Sequence, residues 1–389
     1  MINVSKLYCG LAGESDHLRY GPGGKLGPIV VYNCTRRCNL RCLHCYSDSE
    51  ARTCGDELST EQARRMLGQL AQVDCPVVLF SGGEPLLRAD LFELLEEARR
   101  LGLRTVVSTN GTLIDEATAR RLAEVGVSYV GISIDGPAGF HDEFRQQAGG
   151  FAAAMTGIKN CNKAGVRTGI RFTITGNNSR YVSEVFDIAA KAGVRRICFY
   201  HLICAGRAEA MDVERPSREQ TREALDVIID RTREAVQKGL VDEVLTVDNH
   251  ADGPYLLMRM QRENSPLYEK ARELLLRRGG NKVGEKIACV GWDGQVYADQ
   301  FWRNYSLGNI KNEGFGDVWL NSSDPVLAKI RDKQYYADAR CLRCQWFDLC
   351  RGNYRFLGNE TADEFWVNEP ACYLTDEGKA MQKSKGKMT

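Results

Sequence analysis

The sequence predicts an α/β fold: a parallel sheet, open or curled into a partial barrel, followed by a small cysteine-rich domain. Three observations predict it. Short apolar, β-branched runs alternate with amphipathic helical patterns. Polar motifs recur where those runs end. One spaced set of cysteines follows the first run, and a second set lies near the C-terminus. Strands alternating with helices are joined by crossovers, which give parallel pairing.

Residues 1–27 are glycine-rich and irregular and read as a leader segment. Pro28 to Asn33 reads as the first strand. Ser59 is a candidate N-cap for a helix opening at Thr60. Further strands are expected at 76–80, 103–108, 127–134, 167–174 and 195–202. Helices are expected near 87–101, 115–125, 150–164 and 180–192, with a longer one at about 217–238. Gly102, Gly126, Gly165 and Gly193 stand where helices should stop. The organisation expected is a leader (1–27), a barrel (28–240), a linker or substrate-facing segment (241–285), a cysteine-rich domain (286–375) and a polar tail (376–389).

The chain has 389 residues, of which 43% are hydrophobic, so it can bury a large core. Its 52 basic and 51 acidic residues leave a net charge of +1. That balance gives no electrostatic reason to expect nucleic acid or an anionic membrane as partner. No apolar run reaches transmembrane length, and the N-terminus lacks the build of a signal peptide, so a cytoplasmic location is expected. Fifteen cysteines are many for such a chain, and ligation of a metal or cluster explains them better than disulfides.

Cys38, Cys42 and Cys45 form a CxxxCxxC run. Three such thiolates suit three irons of a cubane cluster and leave the fourth iron open. Zinc is the alternative, because Cys₃His is a legitimate set and His44 is adjacent. Ser81-Gly82-Gly83-Glu84-Pro85 ends the second strand. Its glycines let backbone approach a ligand, and Glu84 is suited to accept from an ammonium group. Ser108-Thr109-Asn110-Gly111 ends the third strand, and Ser133-Ile134-Asp135-Gly136 the fourth. Arg171 lies inside an apolar strand, where a guanidinium needs either a ligand carboxylate or a buried acid. Cys341, Cys344 and Cys350, with Cys372 beyond, make a second metal site, for iron–sulfur or zinc.

Together these residues resemble the radical S-adenosylmethionine superfamily. The resemblance implies a partial (β/α)₆, TIM-like barrel and a 4Fe–4S cluster on Cys38, Cys42 and Cys45. It implies S-adenosyl-L-methionine on the open iron, cleaved to a 5′-deoxyadenosyl radical. It places Gly82, Gly83 and Glu84 at the methionine ammonium, Ser133 and Arg171 at its carboxylate, Asp135 at the ribose, and Asn110 among the cofactor contacts. His44 precedes the third cysteine, where its backbone would approach adenine. The C-terminal layout resembles the SPASM domain or its shortened twitch form. Cys289 and Gly294 fit the first auxiliary-cluster pattern, but Asp299 and Tyr354 stand where that pattern has cysteine. The resemblance therefore implies one auxiliary 4Fe–4S cluster, on Cys341, Cys344, Cys350 and Cys372, with Cys289 spare.

Longer stretches are similar to the haem-biosynthesis deacetylases that act on 12,18-didecarboxysiroheme. They include Ser5 to Gly10, Ser15 to Gly21, Phe199 to Leu202, Thr246 to Gly253, Asp299 to Arg303 and Asp363 to Leu374. The implied reaction removes the C2 and C7 acetates of an iron-bearing modified tetrapyrrole to give iron-coproporphyrin III, with a low-potential donor such as ferredoxin or flavodoxin. A sister family of haem d₁ biosynthesis, which removes propionates, shares much of the pattern. Leu357 stands where the deacetylases more often carry a second arginine. Arg207, Arg303 and Arg355 are candidate carboxylate clamps, with surface ion pairs as the alternative. His201 and His250 are candidate acid/base groups or axial ligands, with a structural role as the alternative. A SPASM peptide maturase and a plain iron–sulfur electron carrier are the other readings. The short leader counts against the first, and the glycine motif with Arg171 counts against the second.

Overall fold

The computed structural model describes residues 1–13, 16, 27–52, 55–337, 339–353 and 371–375. The six expected strands form as β2 (Ile29–Thr35), β3 (Val77–Gly82), β4 (Arg104–Thr109), β5 (Tyr129–Ser133), β6 (Thr168–Ile174) and β7 (Arg196–His201). Each pairs in parallel with the next. Two further parallel strands extend the array: β8 (Glu243–Val247) beside β7, and β9 (Ile287–Val290) beside β2. Short antiparallel pieces finish both edges: β1 (Ile2–Asn3) on β8, then β10 (Gln295–Tyr297) and β11 (Gly308–Asn309) beyond β9. The edges β1 and β11 do not pair with each other, so the sheet is an open arc.

Alternation along the strands divides the chemistry. Val30, Tyr32, Val78, Phe80, Val130, Ile132, Ile170, Phe172, Ile197 and Phe199 are buried in the main core together with helix residues such as Leu67, Leu94, Ile158 and Phe186. Their strand neighbours Ser81, Ser133, Arg171, Thr173 and Tyr200 line a cavity. Arg171 interrupts an apolar strand because it belongs to the cavity face, not to the helix-covered one.

The helices follow their local signals. Ser59 caps Thr60–Gln72 through a reciprocal capping box with Gln62. Gly102, Gly126, Gly165 and Gly193 end their helices with φ between +67° and +77°. The segment 241–285, expected to be a linker or substrate-facing stretch, contains β8 and the helices Asp252–Arg262 and Tyr268–Arg278. Gly253 and Pro254 hide the first of these helices, yet proline is tolerated in a first turn, where its missing N–H has no intrahelical partner. Beyond Lys286 the chain stays in the same sheet, since β9 pairs with β2.

Removing the Ser59 cap (Ser59→Ala) should cost about 1 kcal/mol of local helix stability. Faster amide exchange in the first turn of Thr60–Gln72 is the expected readout, and unchanged protection would contradict the cap's role.

Candidate functional site

β2 ends at Thr35 and releases an irregular cysteine loop. Beyond one bridge between Arg37 and Glu50 the loop makes no ladder, so the rest of its polar backbone needs outside partners. Two arginines supply them, and a third, Arg88, braces the end of β2 just before the loop. Arg88 donates to the Cys34 carbonyl at 2.6 Å while pairing with Asp90. Arg207 donates to the carbonyls of Cys42 (3.0 Å) and Ser49 (2.8 Å) and to Asp48. Arg303 donates to the Ser47 carbonyl at 3.0 Å and lies 4.0 Å over the Trp292 ring. Arg207 and Arg303 were expected to clamp substrate carboxylates. In the structure both are spent on the loop, because its carbonyls have no strand partner. Arg355, Tyr354 and Leu357 lie outside the described residues.

The glycine motif braces the same loop. The Gly83 N–H donates to Thr35 O, and the Glu84 N–H to Arg37 O. A Cβ on Gly83 would sit 2.1 Å from the Arg37 carbonyl oxygen, and one on Gly82 would sit 2.5 Å from that of Thr35. The glycines therefore serve a close backbone crossing first, while both also line the cavity. Glu84 departs from expectation. Its carboxylate is fully buried and accepts from Thr109 Oγ1 (2.7 Å), the Asn110 N–H (2.8 Å) and the Leu86 N–H (3.2 Å). Those donors leave it no reach into the cavity, so it ties the β3 motif to the β4 motif. Asn110 lines the cavity and holds Asn39 through its amide at 2.9 Å.

Asp135 also departs from expectation. β5 ends at Ser133, so strand alternation does not carry Asp135 to the cavity face. It is fully buried, accepts the Thr173 N–H at 3.0 Å, and takes a two-pronged bond from Arg145 (Nε 2.8 Å, Nη2 2.7 Å). Burial works against its charge, but Arg145, with His44 and His141 beside it, holds its carboxyl below the usual range. Arg145 in turn reaches Cys42 Sγ at 3.7 Å and lines the cavity. Sequence reasoning missed Arg145, since nothing in His141-Asp142-Glu143-Phe144-Arg145 sets it apart.

The cavity and the open solvent at its mouth together span about 1010 Å³. It brings together Cys38, Cys42, Cys45, Gly82, Gly83, Asn110, Ser133, Arg171 and His201 of the expected residues, with Arg145, Tyr200 and Asp248 added. Arg171 stacks 4.4 Å over the Tyr200 ring. His44 lines the cavity and stacks on Phe144 at 4.3 Å. His250 does not line it. The His250 ring is buried with Nδ1 unpartnered, and its backbone N–H bonds Asn353.

Burial pushes the Cys38 thiol up to about 12 and raises that of Cys42 as well. These thiols become thiolates when a cation binds them, which is what a metal cluster provides. Among the described residues, no three His, Cys, Asp or Glu side chains converge on one ion position. A cubane does not need that convergence, because each thiolate binds a different iron. The donor set and cavity thus fit a cluster. The second set fits likewise: Cys341, Cys344, Cys350 and Cys372 all line one separate pocket, with Trp346, Phe347 and Leu374 around them. Cys289 lines neither site; it is buried on β9 beside Val31 and Tyr297 and accepts from Asn33. Asp299 caps the N–H groups of Phe301 and Trp302.

Asp248 follows β8 in a left-handed conformation (φ 68°), which a non-glycine residue adopts at a cost. Burial, with Asp299 nearby, pushes its carboxyl up to about 7 despite the opposing pull of Arg171 and His201. An ordinary aspartate ionises near 4. Ionising Asp248 in the fold therefore costs stability, with the cost growing from about pH 4 to pH 7 and constant above. Asp248→Asn should melt higher than the parent at pH 8, with the difference vanishing toward pH 4. A difference independent of pH would contradict the assignment. Glu84→Gln puts an amide donor against either the Thr109 and Leu86 donors on one oxygen or the Asn110 N–H on the other, and should cost about 1–3 kcal/mol. The expected signs are a lower melting temperature and less iron retained, and an unchanged melt would contradict the brace.

A family model described as the radical SAM superfamily matches residues 32–189, and a second, the SPASM iron–sulfur cluster-binding domain, matches residues 282–345. The chain is 46% identical to the Fe-coproporphyrin III synthase of Methanosarcina barkeri, over 97% of this chain and 98% of that protein. It is 37% identical to the pre-heme d1 synthase of Dinoroseobacter shibae, over 90% and 86%. Among solved structures, native anSMEcpe with bound AdoMet has a TM-score of 0.68 at 22% identity, covering 89% of this chain and 93% of that one. Streptococcus suis SuiB bound to S-adenosylmethionine also scores 0.68, at 17% identity over 92% and 80%. These two structures share the fold. A cavity flanked by three loop cysteines, a second four-cysteine pocket and full-length similarity at this level lead to one conclusion: the chain belongs to the radical SAM superfamily, among its members with a C-terminal SPASM domain.

Proposed function

We propose that this chain removes the C2 and C7 acetate side chains of 12,18-didecarboxysiroheme to give iron-coproporphyrin III. The observation that carries the reading is 46% identity to an Fe-coproporphyrin III synthase along nearly the whole of both chains. Propionate removal is the second reading, supported by the lower identity, 37%, to a pre-heme d1 synthase. The proposed reaction runs on two cofactors of the family, a 4Fe–4S cluster and S-adenosylmethionine, and an auxiliary cluster accompanies them.

When bound, the cluster and S-adenosylmethionine supply a 5′-deoxyadenosyl radical for hydrogen abstraction. Cys38, Cys42 and Cys45 hold that cluster in this reading. Arg145, fixed by Asp135, places a cation beside Cys42. Gly82 and Gly83 offer backbone to the methionine ammonium, and Ser133 and Arg171 meet its carboxylate from the cavity face. Arg171 is preorganised for this by Tyr200, whose ring centre lies 4.4 Å from the guanidinium carbon. Leu79, Leu202, Ile203 and Phe301 supply apolar wall for a macrocycle and keep water from its faces. Cys341, Cys344, Cys350 and Cys372 would hold the auxiliary cluster, one thiolate for each iron, and it would supply electron transfer. The electron donor is a low-potential protein such as ferredoxin or flavodoxin, and the setting is cytoplasmic. Among the described residues no helix is long and apolar enough to cross a membrane.

Anaerobic incubation of the reconstituted protein with didecarboxysiroheme, followed by mass analysis, tests the reaction. Loss of two acetates is expected. Loss of propionates would move the chain to the haem d₁ branch, and an unchanged tetrapyrrole would overturn the reading. Cys344→Ala should lower iron per chain while the first cluster remains. Unchanged iron would argue for zinc, or nothing, at the second site.

A further inference from the structure

We propose that Arg145 sets the reduction potential of the cluster on Cys38, Cys42 and Cys45, holding it above the value that the thiolates alone would give. The inference rests on the cluster reading of these three cysteines and is independent of which tetrapyrrole the cavity takes.

Arg145 directly follows the helix Ala138–Phe144. That helix end and the cysteine loop are tied together. The Leu43 N–H donates to Phe144 O at 3.1 Å, and the His44 ring stacks on the Phe144 ring. The residue after Cys42 is thus bonded to the residue before Arg145, which fixes the spacing of thiol and guanidinium. Arg145 Nη1 reaches Cys42 Sγ at 3.7 Å, and both residues are buried.

The other arms of the guanidinium are already used. Nε and Nη2 both meet Asp135 Oδ2, at 2.8 and 2.7 Å. Asp135 is itself fixed from three sides. Its Oδ1 accepts the Thr173 N–H, its own N–H donates to His141 Nδ1 at 3.2 Å, and its carbonyl accepts from the Asn178 amide at 3.3 Å. In the rigid guanidinium fork Nη1 lies away from the edge formed by Nε and Nη2. The thiol therefore meets the positive side of this ion pair, with the carboxylate behind it.

The hydrogen bonds to the other two thiols come from neutral groups. Cys38 Sγ accepts from the Leu40 N–H at 3.4 Å and the Asn110 amide at 4.0 Å. Cys45 Sγ accepts from the Ser49 N–H at 3.5 Å and lies 3.3 Å from Ser47 Oγ. Arg207 also approaches Cys42, but at its carbonyl, and shares its charge with Asp48. Hydrogen bonds to the sulfurs and nearby charge set a cluster's potential, and a cation acts most strongly where water is excluded. An added electron makes the cluster more negative, so Arg145 favours the reduced form. Electron uptake from a low-potential donor becomes easier, and cleavage of S-adenosylmethionine depends on that uptake.

The test is a potentiometric titration of the full-length, anaerobically reconstituted protein without S-adenosylmethionine, followed by EPR. The first cluster is the one whose signal Cys42→Ala lacks, and the auxiliary cluster is the internal reference. Arg145→Met removes the cation and should lower the potential of the first cluster alone. At a fixed ambient potential its reduced-to-oxidised ratio should fall at least tenfold, about 59 mV for one electron. Asp135→Asn removes the opposing charge and should raise that potential. Arg145→Lys, which keeps the charge, should shift it less than Arg145→Met. Charge predicts opposite signs for the two removals, whereas a loosened cavity would move both variants the same way. An unchanged potential in Arg145→Met, equal shifts at both clusters, or shifts of one sign in Arg145→Met and Asp135→Asn would overturn the proposal. Should Arg145→Met not retain its cluster, the sign of the Asp135→Asn shift decides alone. A parent protein that assembles no first cluster would overturn the cluster reading as well.

Discussion

Everything in the cavity depends on an irregular loop being held still without a hydrogen-bond ladder of its own. The loop after β2 must present three thiols in a fixed arrangement. Its backbone is secured by Arg207 and Arg303 from two distant parts of the chain and by the N–H groups of Gly83 and Glu84, while Arg88 holds the Cys34 carbonyl at the end of β2. The crossing with the glycine motif is so close that any side chain there would collide with carbonyl oxygens. Glu84 then locks that motif to the end of β4. The result is a rigid frame in which the cofactor-facing groups need little reorganisation.

The electrostatics follow from the same frame. Asp135 and Arg145 are both buried, and a buried pair is kept only where its remaining donors are used. Arg145 spends its spare donor on Cys42, while Thr173 satisfies the other oxygen of Asp135. A fixed positive charge thus lies beside one thiol, where a bound cluster would carry negative charge. On the far side, Asp252 performs the matching service for His201, and Asp248 adds a carboxyl whose charge depends on pH. Charged groups thus line the cavity at separate points: Arg145, paired with Asp135, beside Cys42, Arg171 on β6, and the Asp248 carboxyl after β8.

Much of this was legible in the residues. The six strands β2 to β7, the Ser59 cap and the glycine helix ends follow from periodicity and local chemistry. The two cysteine sets are separated correctly by spacing alone. What was not legible depends on tertiary pairing. β8 and β9 are short runs of five and four residues, stabilised as strands by β7 and β2. The resemblance placed Asp135 at the ribose, but β5 stops two residues earlier and the carboxylate is taken up by Arg145 and the Thr173 N–H. Arg207 and Arg303 looked like substrate clamps because a sequence does not reveal which carbonyls are left unpaired by a loop far away. Arg145 gave no signal at all, since its importance comes only from its distance to Cys42.

The most direct measurement is the EPR spectrum of the reduced, anaerobically reconstituted protein, recorded with and without S-adenosylmethionine and repeated on Cys42→Ala. Two cluster signals are expected in the parent, one of which changes when S-adenosylmethionine is added. Cys42→Ala should lose that responsive signal and keep the other. A parent spectrum with no component that responds to S-adenosylmethionine, or a Cys42→Ala variant that responds as the parent does, would contradict the claim that these three thiols leave an iron open to the cofactor.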